Sequence, residues 1–344
     1  MNPLILSTLL SNLALSVIIT ATSFHWFLAW VGLELNTLAI IPILAKQHHP
    51  RATEAATKYF IIQAMASSII LFSSTLNAWH TGIWDITQLT IFPATMMLAT
   101  ALAMKSGLAP LHFWLPEVMQ GVTLSSALII TTWQKLPPMT LLYLAAPNLP
   151  TLIMFSLALT STLIGGWSGL NQTQMRKIMA YSSIAHLGWM IAILSLSQNL
   201  LLFTLLTYII MTSLMFFTLI ASSSKTSKDL GQLWSTSPTI TSISLITLIS
   251  LGGLPPLIGF LPKWLILKEL TTHHLIPLAT ALALSSLLSL MFYMRLTYTT
   301  TLTISPNTTN SMMKWRFKLT KSLSTATITT MLLTLTPLLP LISP

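Results

Sequence analysis

The chain has 344 residues, 53% of them hydrophobic and only 6% charged, with a formal net charge of +10 and no cysteine. A soluble domain carries about a quarter charged residues, so this composition excludes a water-covered globule, and most of the surface must meet lipid. The positive charge lies in short loops between apolar runs, which argues against nucleic acid, and the missing cysteines exclude iron–sulfur clusters and zinc thiolates held by this chain.

An apolar helix needs roughly 20 residues to cross the hydrocarbon core. The opening "MNPLILSTLL" has no basic or Arg-rich segment, so the first span is expected to start at once, with no cleavable signal or transit peptide. Spans 3–21 and 24–45 come first, followed by the polar "KQHHPRATEA" and span 59–80. After "HTGIWD" come 93–121 and 124–146, then "APNLP" and 150–171. The segment "NQTQMRK" leads to 178–196 and 200–222, and "SSSKTSKDLGQ" leads to 240–271 and 274–299. A basic amphipathic linker, about 306–321, carries Trp315 and Phe317 and is expected on the membrane surface before a last span at 323–343. The predicted fold is an all-α polytopic membrane protein of eleven spans, forming a single membrane domain over 1–344.

Eleven spans put alternate loops on opposite sides. Of the sixteen basic residues, Lys268 alone falls on the side away from the N-terminus, and Lys105, Lys135 and Lys263 fall inside spans; the rest share the N-terminal side. Positive loops stay inside, so the N-terminus and the basic loops are expected on the inner side. The sequons at Asn171 and Asn307 fall on that same side and read as chance matches.

Two spans are interrupted alike. "GLAPLHFWLPE" at 107–117 and "GLPPLIGFLPK" at 253–263 share G-L-x-P-L-x-x-x-L-P at an offset of 146 positions. The shared Gly and two Pro agree by chance about once in ten thousand alignments at this composition. The offset covers five spans, an odd number, so the second copy (about 150–299) enters the membrane inverted relative to the first (about 3–146). Inverted repeats with matched broken helices are a transporter signature, because a break frees backbone groups where polar residues or water must satisfy them. Two proline kinks covered by neighbouring helices are the plainer alternative.

Glu34 and Lys135 sit near the centres of their spans, Lys105 precedes the first break, and Lys263 follows the second. Each such charge costs about 2.5–3.5 kcal/mol at a helix centre, so all four must face the interior, pair, or meet water. A buried ion pair that only fixes packing is one reading, but one carboxylate does not satisfy three lysines. The other is a proton relay, since an ammonium taken out of water gives up its proton more readily and an approaching carboxylate restores it. Glu117 beside the first break is a candidate access carboxylate. His112 and His186 are candidate supporting members of the relay, although an isolated histidine is more often structural. His48–His49 and His273–His274 fall at span ends and read as interfacial, Glu54 and Asp85 as solvated. "GGWSGLNQTQ" at 165–174 is not G-x-G-x-x-G and follows no strand, so no nucleotide site is expected; neither haem nor metal is expected.

The segments "WVGLELNTLAIIPIL", "EAATKYFIIQAMAS", "KSGLAPLHFWLPEVMQG", "WQKLPP", "RKIMAYSSIAHLGWM" and "GGLPPLIGFLPKW" occur in order along the chain. Together they resemble the antiporter-like membrane-arm subunits of mitochondrial NADH:ubiquinone oxidoreductase, respiratory complex I. The resemblance implies an organelle-encoded, multi-pass protein of the mitochondrial inner membrane with its basic side toward the matrix. It implies that Glu34, Lys105, Lys135 and Lys263 match the family's intramembrane glutamate and lysines, and that proton movement is driven by quinone reduction elsewhere in the complex. NADH, FMN, iron–sulfur clusters and ubiquinone would bind other subunits, and none of them this chain. Its partners would be other membrane-arm subunits and lipids such as cardiolipin, so it would not act as a free monomer. Longer family members carry about three more helices before the glutamate helix, which leaves a lateral face open here. A structural spacer without its own proton path, and a stand-alone cation/proton antiporter, are the alternative readings.

Overall fold

A computed structural model of the chain describes residues 2–235, 237–255 and 257–302. The expected linker at 306–321 and the last expected span at 323–343 lie outside the described residues. Among the described residues the protein is helical throughout, with no strand and only two isolated bridges, His25 with Asp85 and Gln174 with Thr226.

The first two helices form a hairpin. Helix α1 (Pro3–Thr22) starts with Pro at its first turn and Asn2 as its cap, the side chain accepting from the Leu4 amide at 3.2 Å. Helix α2 (Trp26–Leu44) packs so closely that a Cβ on Gly32 would meet Thr20 at 2.6 Å. Helix α3 (Pro50–Thr81) begins nine residues before the predicted span. His49 caps it through Nδ1 to the Arg51 amide, and Pro50 occupies the first turn, so part of the expected polar loop is helical instead.

The expected span 93–121 is two helices, α4 (Phe92–Ser106) and α5 (Trp114–Gly121). The expected span 124–146 is also divided, into α6 (Leu124–Thr131), a 3₁₀ turn at Trp133–Lys135, and α7 (Leu136–Ala145). Then come α8 (Thr151–Gly169), α9 (Met175–Leu194), α10 (Gln198–Ser222) and the short α11 (Ser227–Gly231), closed by a capping box between Thr226 and Asp229. The expected span 240–271 is α12 (Pro238–Gly252) followed by α13 (Phe260–Thr272), and α14 (Ile276–Leu302) ends the described chain. Seven helices, α1, α2, α3, α8, α9, α10 and α14, are long and apolar enough to cross a membrane unbroken. The three interrupted spans complete ten of the eleven expected.

The contacts divide into two units. Among the described residues, the first comprises those up to 161 with 194–198, and the second 162–193 with those from 199 to 302, so the division falls within α8. In the first unit, α3 lies against α2, α4 and α5, and α7 against α1 and α4. In the second, α14 gathers α11, α12 and α13, and a Cβ on Gly166 would press on Leu288 of α14 at 2.7 Å. The Arg295 guanidinium of α14 donates to the carbonyls of Leu170 and Gln172, which closes the end of α8.

Candidate functional site

A helix that stops inside the membrane leaves its last carbonyls without intrahelical donors, and each needs another partner. Helix α4 ends on Gly107 at φ +81°, and its amide turns back to Ala103 and Met104. The Leu108 amide also donates to the Ala103 carbonyl, at 2.9 Å. The Trp114 indole, first residue of α5, donates to the Met104 carbonyl at 3.1 Å. Gln63 of α3 reaches the Lys105 carbonyl at 3.5 Å. The break is therefore a built closure, and Lys105 lies in its last turn, 6% exposed.

The second break repeats this closure 146 residues later. Starts Phe92 and Pro238, ends Ser106 and Gly252, and restarts Trp114 and Phe260 all share that offset. Gly253 has φ +80° and donates to Ser250 at 3.0 Å, and the Leu254 amide donates to Ile249. Here the side chain that meets a freed carbonyl is Lys263, whose Nζ donates to Gly252 at 2.9 Å. The C-terminal end of a helix carries a partial negative charge of roughly half a unit, so an ammonium placed there is partly compensated without a carboxylate. Gly259 packs directly on the α12 backbone: a Cβ there would lie 1.7 Å from the Ser250 oxygen.

Lys135 also stands at an interruption, 4% exposed in the 3₁₀ turn that joins α6 to α7. Pro137 and Pro138 follow it at the first positions of α7. Neither has an amide to return to the carbonyls of Trp133 and Gln134, so a continuous α-helix is not available. All three intramembrane lysines therefore sit at helix interruptions.

In the first unit Lys105 and Lys135 face one cavity of about 20 Å³, space for one or two waters at roughly 10–15 Å³ each. Asn36, Tyr59, Gln63 and Gln134 face it too. Asn36 and Gln134 exchange a reciprocal pair of amide hydrogen bonds, both 3.0 Å, and the Tyr59 hydroxyl donates to Gln134 Oε1 at 3.1 Å. Sequence reasoning missed all four of these residues. The available signal was polar amides and a tyrosine inside apolar spans, Asn36 two positions from Glu34 and Gln134 beside Lys135.

Glu34 lies on the unbroken α2 and is half-buried, with its Oε2 buried and without a hydrogen-bond partner among the described residues. It does not line the cavity shared by Lys105 and Lys135. His112 is buried, with Nδ1 3.2 Å from the Pro110 carbonyl and its ring against Phe113, and does not line the cavity of the two lysines. Glu117 is exposed and joins Lys58 at 2.8 Å, and Lys58 also reaches Glu54 at 2.7 Å. Glu54 is thus paired as well as solvated, and the three residues border an open cleft with Arg51 and Gln120. In the second unit, His186 and Lys263 line a second cavity of about 20 Å³, and the His186 ring lies 5.6 Å from that of Tyr208.

The fold and these buried lysines define a class: a multi-pass helical membrane protein that places ionisable groups where its helices are broken. A family model described as "NADH:quinone oxidoreductase/Mrp antiporter, TM" matches residues 23–289, and one described as "NADH dehydrogenase subunit 2 C-terminus" matches 290–343. The chain belongs to the NADH:quinone oxidoreductase/Mrp antiporter transmembrane family. It is 55% identical to the NADH-ubiquinone oxidoreductase chain 2 of Carassius auratus over 343 residues, 99% of each chain. It is 57% identical to the chain of that name from Xenopus laevis over 316 residues, 92% of each. Among solved structures it resembles a chain of respiratory complex I from Thermus thermophilus, with a TM-score of 0.87 and 27% identity, covering 100% of this chain and 81% of that one. A chain of the Mrp complex from Dietzia sp. DQ12-45-1b shares the fold, with a TM-score of 0.80 and 19% identity, over 87% of this chain and 61% of that one.

Proposed function

We propose that the chain is a proton-translocating membrane-arm subunit of the H+-translocating NADH:ubiquinone oxidoreductase, with Glu34, Lys105, Lys135 and Lys263 as its relay. Family membership and relatives of the same length bearing that enzyme's name support the first part. The observation that carries the second is the cavity shared by Lys105 and Lys135.

Two charges about 4 Å apart at an effective dielectric near 20 interact by about 4 kcal/mol. Moving one proton against roughly 180 mV costs about 4 kcal/mol. Making and breaking a Glu34–Lys105 contact therefore has the magnitude needed to load and unload a lysine. Lys135 and Lys263 take the proton onward, with His186 beside Lys263 and His112 in support. Glu117, held by Lys58 at an exposed cleft, offers access from the water. The matched breaks stand at corresponding positions of the two copies of the sequence repeat.

The chain does no redox chemistry. NADH, FMN, iron–sulfur clusters and ubiquinone are held by other subunits, and quinone reduction there drives the relay. The protein resides in the mitochondrial inner membrane among other membrane-arm subunits and lipids such as cardiolipin. Its N-terminus and basic loops face the matrix.

Glu34→Gln tests the relay against a purely structural role. It keeps the shape and removes a half-buried charge, a change that a scaffold tolerates or gains from. Normal assembly with fewer protons moved per NADH oxidised, and partial recovery in Glu34→Asp, is the expected result. Full proton movement in Glu34→Gln rejects the relay.

A further inference from the structure

Among the seven long apolar helices, α1 is the least enclosed, with only Leu13, Ser16 and Thr20 buried. Its exposed residues Ile5, Thr8, Asn12 and Leu15 are spaced three, four and three apart, the spacing of one packing stripe, and Ser11 is exposed beside them. The hydroxyls are satisfied within the helix: Thr8 donates to the Ile5 carbonyl at 2.9 Å and Ser11 to the Thr8 carbonyl at 2.9 Å. Asn12 differs. It is the tenth residue of twenty, at mid-span, and no hydrogen bond reaches its carboxamide among the described residues.

Acyl chains offer an amide neither donor nor acceptor. A transmembrane helix with a polar side chain at the same depth offers both, and small residues such as Thr8 and Ser11 let its backbone come close. We propose that this stripe of α1 is an interface for a transmembrane helix of another subunit, which presents an amide or hydroxyl side chain to Asn12. The inference rests on the reading of the chain as part of an assembly and adds which face the neighbour covers.

The chain has no cysteine, so Asn12→Cys supplies a single thiol. In the intact purified complex, a maleimide photo-cross-linker on that thiol is expected to give one adduct, to a transmembrane segment of one other subunit. Ser11→Cys, which leaves Asn12 in place, is expected to reach the same subunit even if the first variant assembles poorly. Asn12→Leu is expected to release that subunit about three- to tenfold more readily in mild detergent, the range of measured interhelical hydrogen bonds. Adducts to lipid alone, to a second copy of the chain, or to its own residues 303–344 overturn the proposal, as does unchanged retention in Asn12→Leu. A lipid-facing thiol in an assembled complex rejects only the interface, whereas a chain found in no assembly rejects the functional reading beneath it.

Discussion

A lysine inside a membrane needs a counter-charge, water, or a dipole, and Lys263 meets the third at the end of α12. Lys105 lies in the last turn of α4, Lys135 in the turn between α6 and α7, and the Lys263 ammonium on the last carbonyl of α12. The C-terminal ends of helices hold partial negative charge on their free carbonyls. A charge held by dipoles is held less firmly than one in a tight ion pair, which is what the proposed relay asks of Lys263. The same economy appears at Trp114, whose indole satisfies the Met104 carbonyl across the first break. Trp114→Phe keeps the ring and removes that donor. It is expected to cost about 1 kcal/mol, read as a lower midpoint for thermal unfolding of the assembled protein; an unchanged midpoint would mean that the indole bond adds nothing to the closure.

At the scale of elements, the two Gly-Pro breaks were legible because glycine and proline act on the backbone itself. A left-handed helix end needs glycine, and a proline without an amide cannot continue the ladder. The third interruption was not read, although "WQKLPP" stood in plain view. Two prolines at the start of a helix look the same as a normal N-terminus, and the mean hydropathy of 124–146 does not register a turn. The cavity's amides were missed for a related reason: which polar residue on one helix meets which on another depends on helix rotation, and the chain has too weak an amphipathic signal to fix it. The breaks themselves separate two effects of glycine. Gly107→Ala places its Cβ 3.4 Å from Trp114, an ordinary contact, so only the left-handed backbone is penalised, by about 1–2 kcal/mol. Gly253→Ala carries the same backbone cost and also sets its Cβ 2.8 Å from the Lys263 Nζ. Proton movement is expected to fall in Gly253→Ala and to survive in Gly107→Ala at matched assembly. Equal effects on proton movement would show that the Lys263 contact has no functional part.

For the whole molecule, the sequence alone carried the membrane class, ten described spans and the family, because composition and ordered motifs are properties of the chain and not of its packing. The division of contacts within α8 was not legible, since Thr160, Ser161 and Thr162 lie inside one continuous helix, with no proline or glycine beside them to mark a boundary. Nor was the pairing of Glu117 with Lys58, which depends on α3 extending down to Pro50. What joins these scales is the claim that protons pass by way of the buried lysines. Lys135→Met tests it most directly, because methionine keeps the stem and deletes the charge in the 3₁₀ turn. Protons moved per electron pair should be counted in vesicles containing the fully assembled complex. The expected result is a lower ratio at normal subunit content; an unchanged ratio would contradict proton passage through this lysine and leave the chain a scaffold.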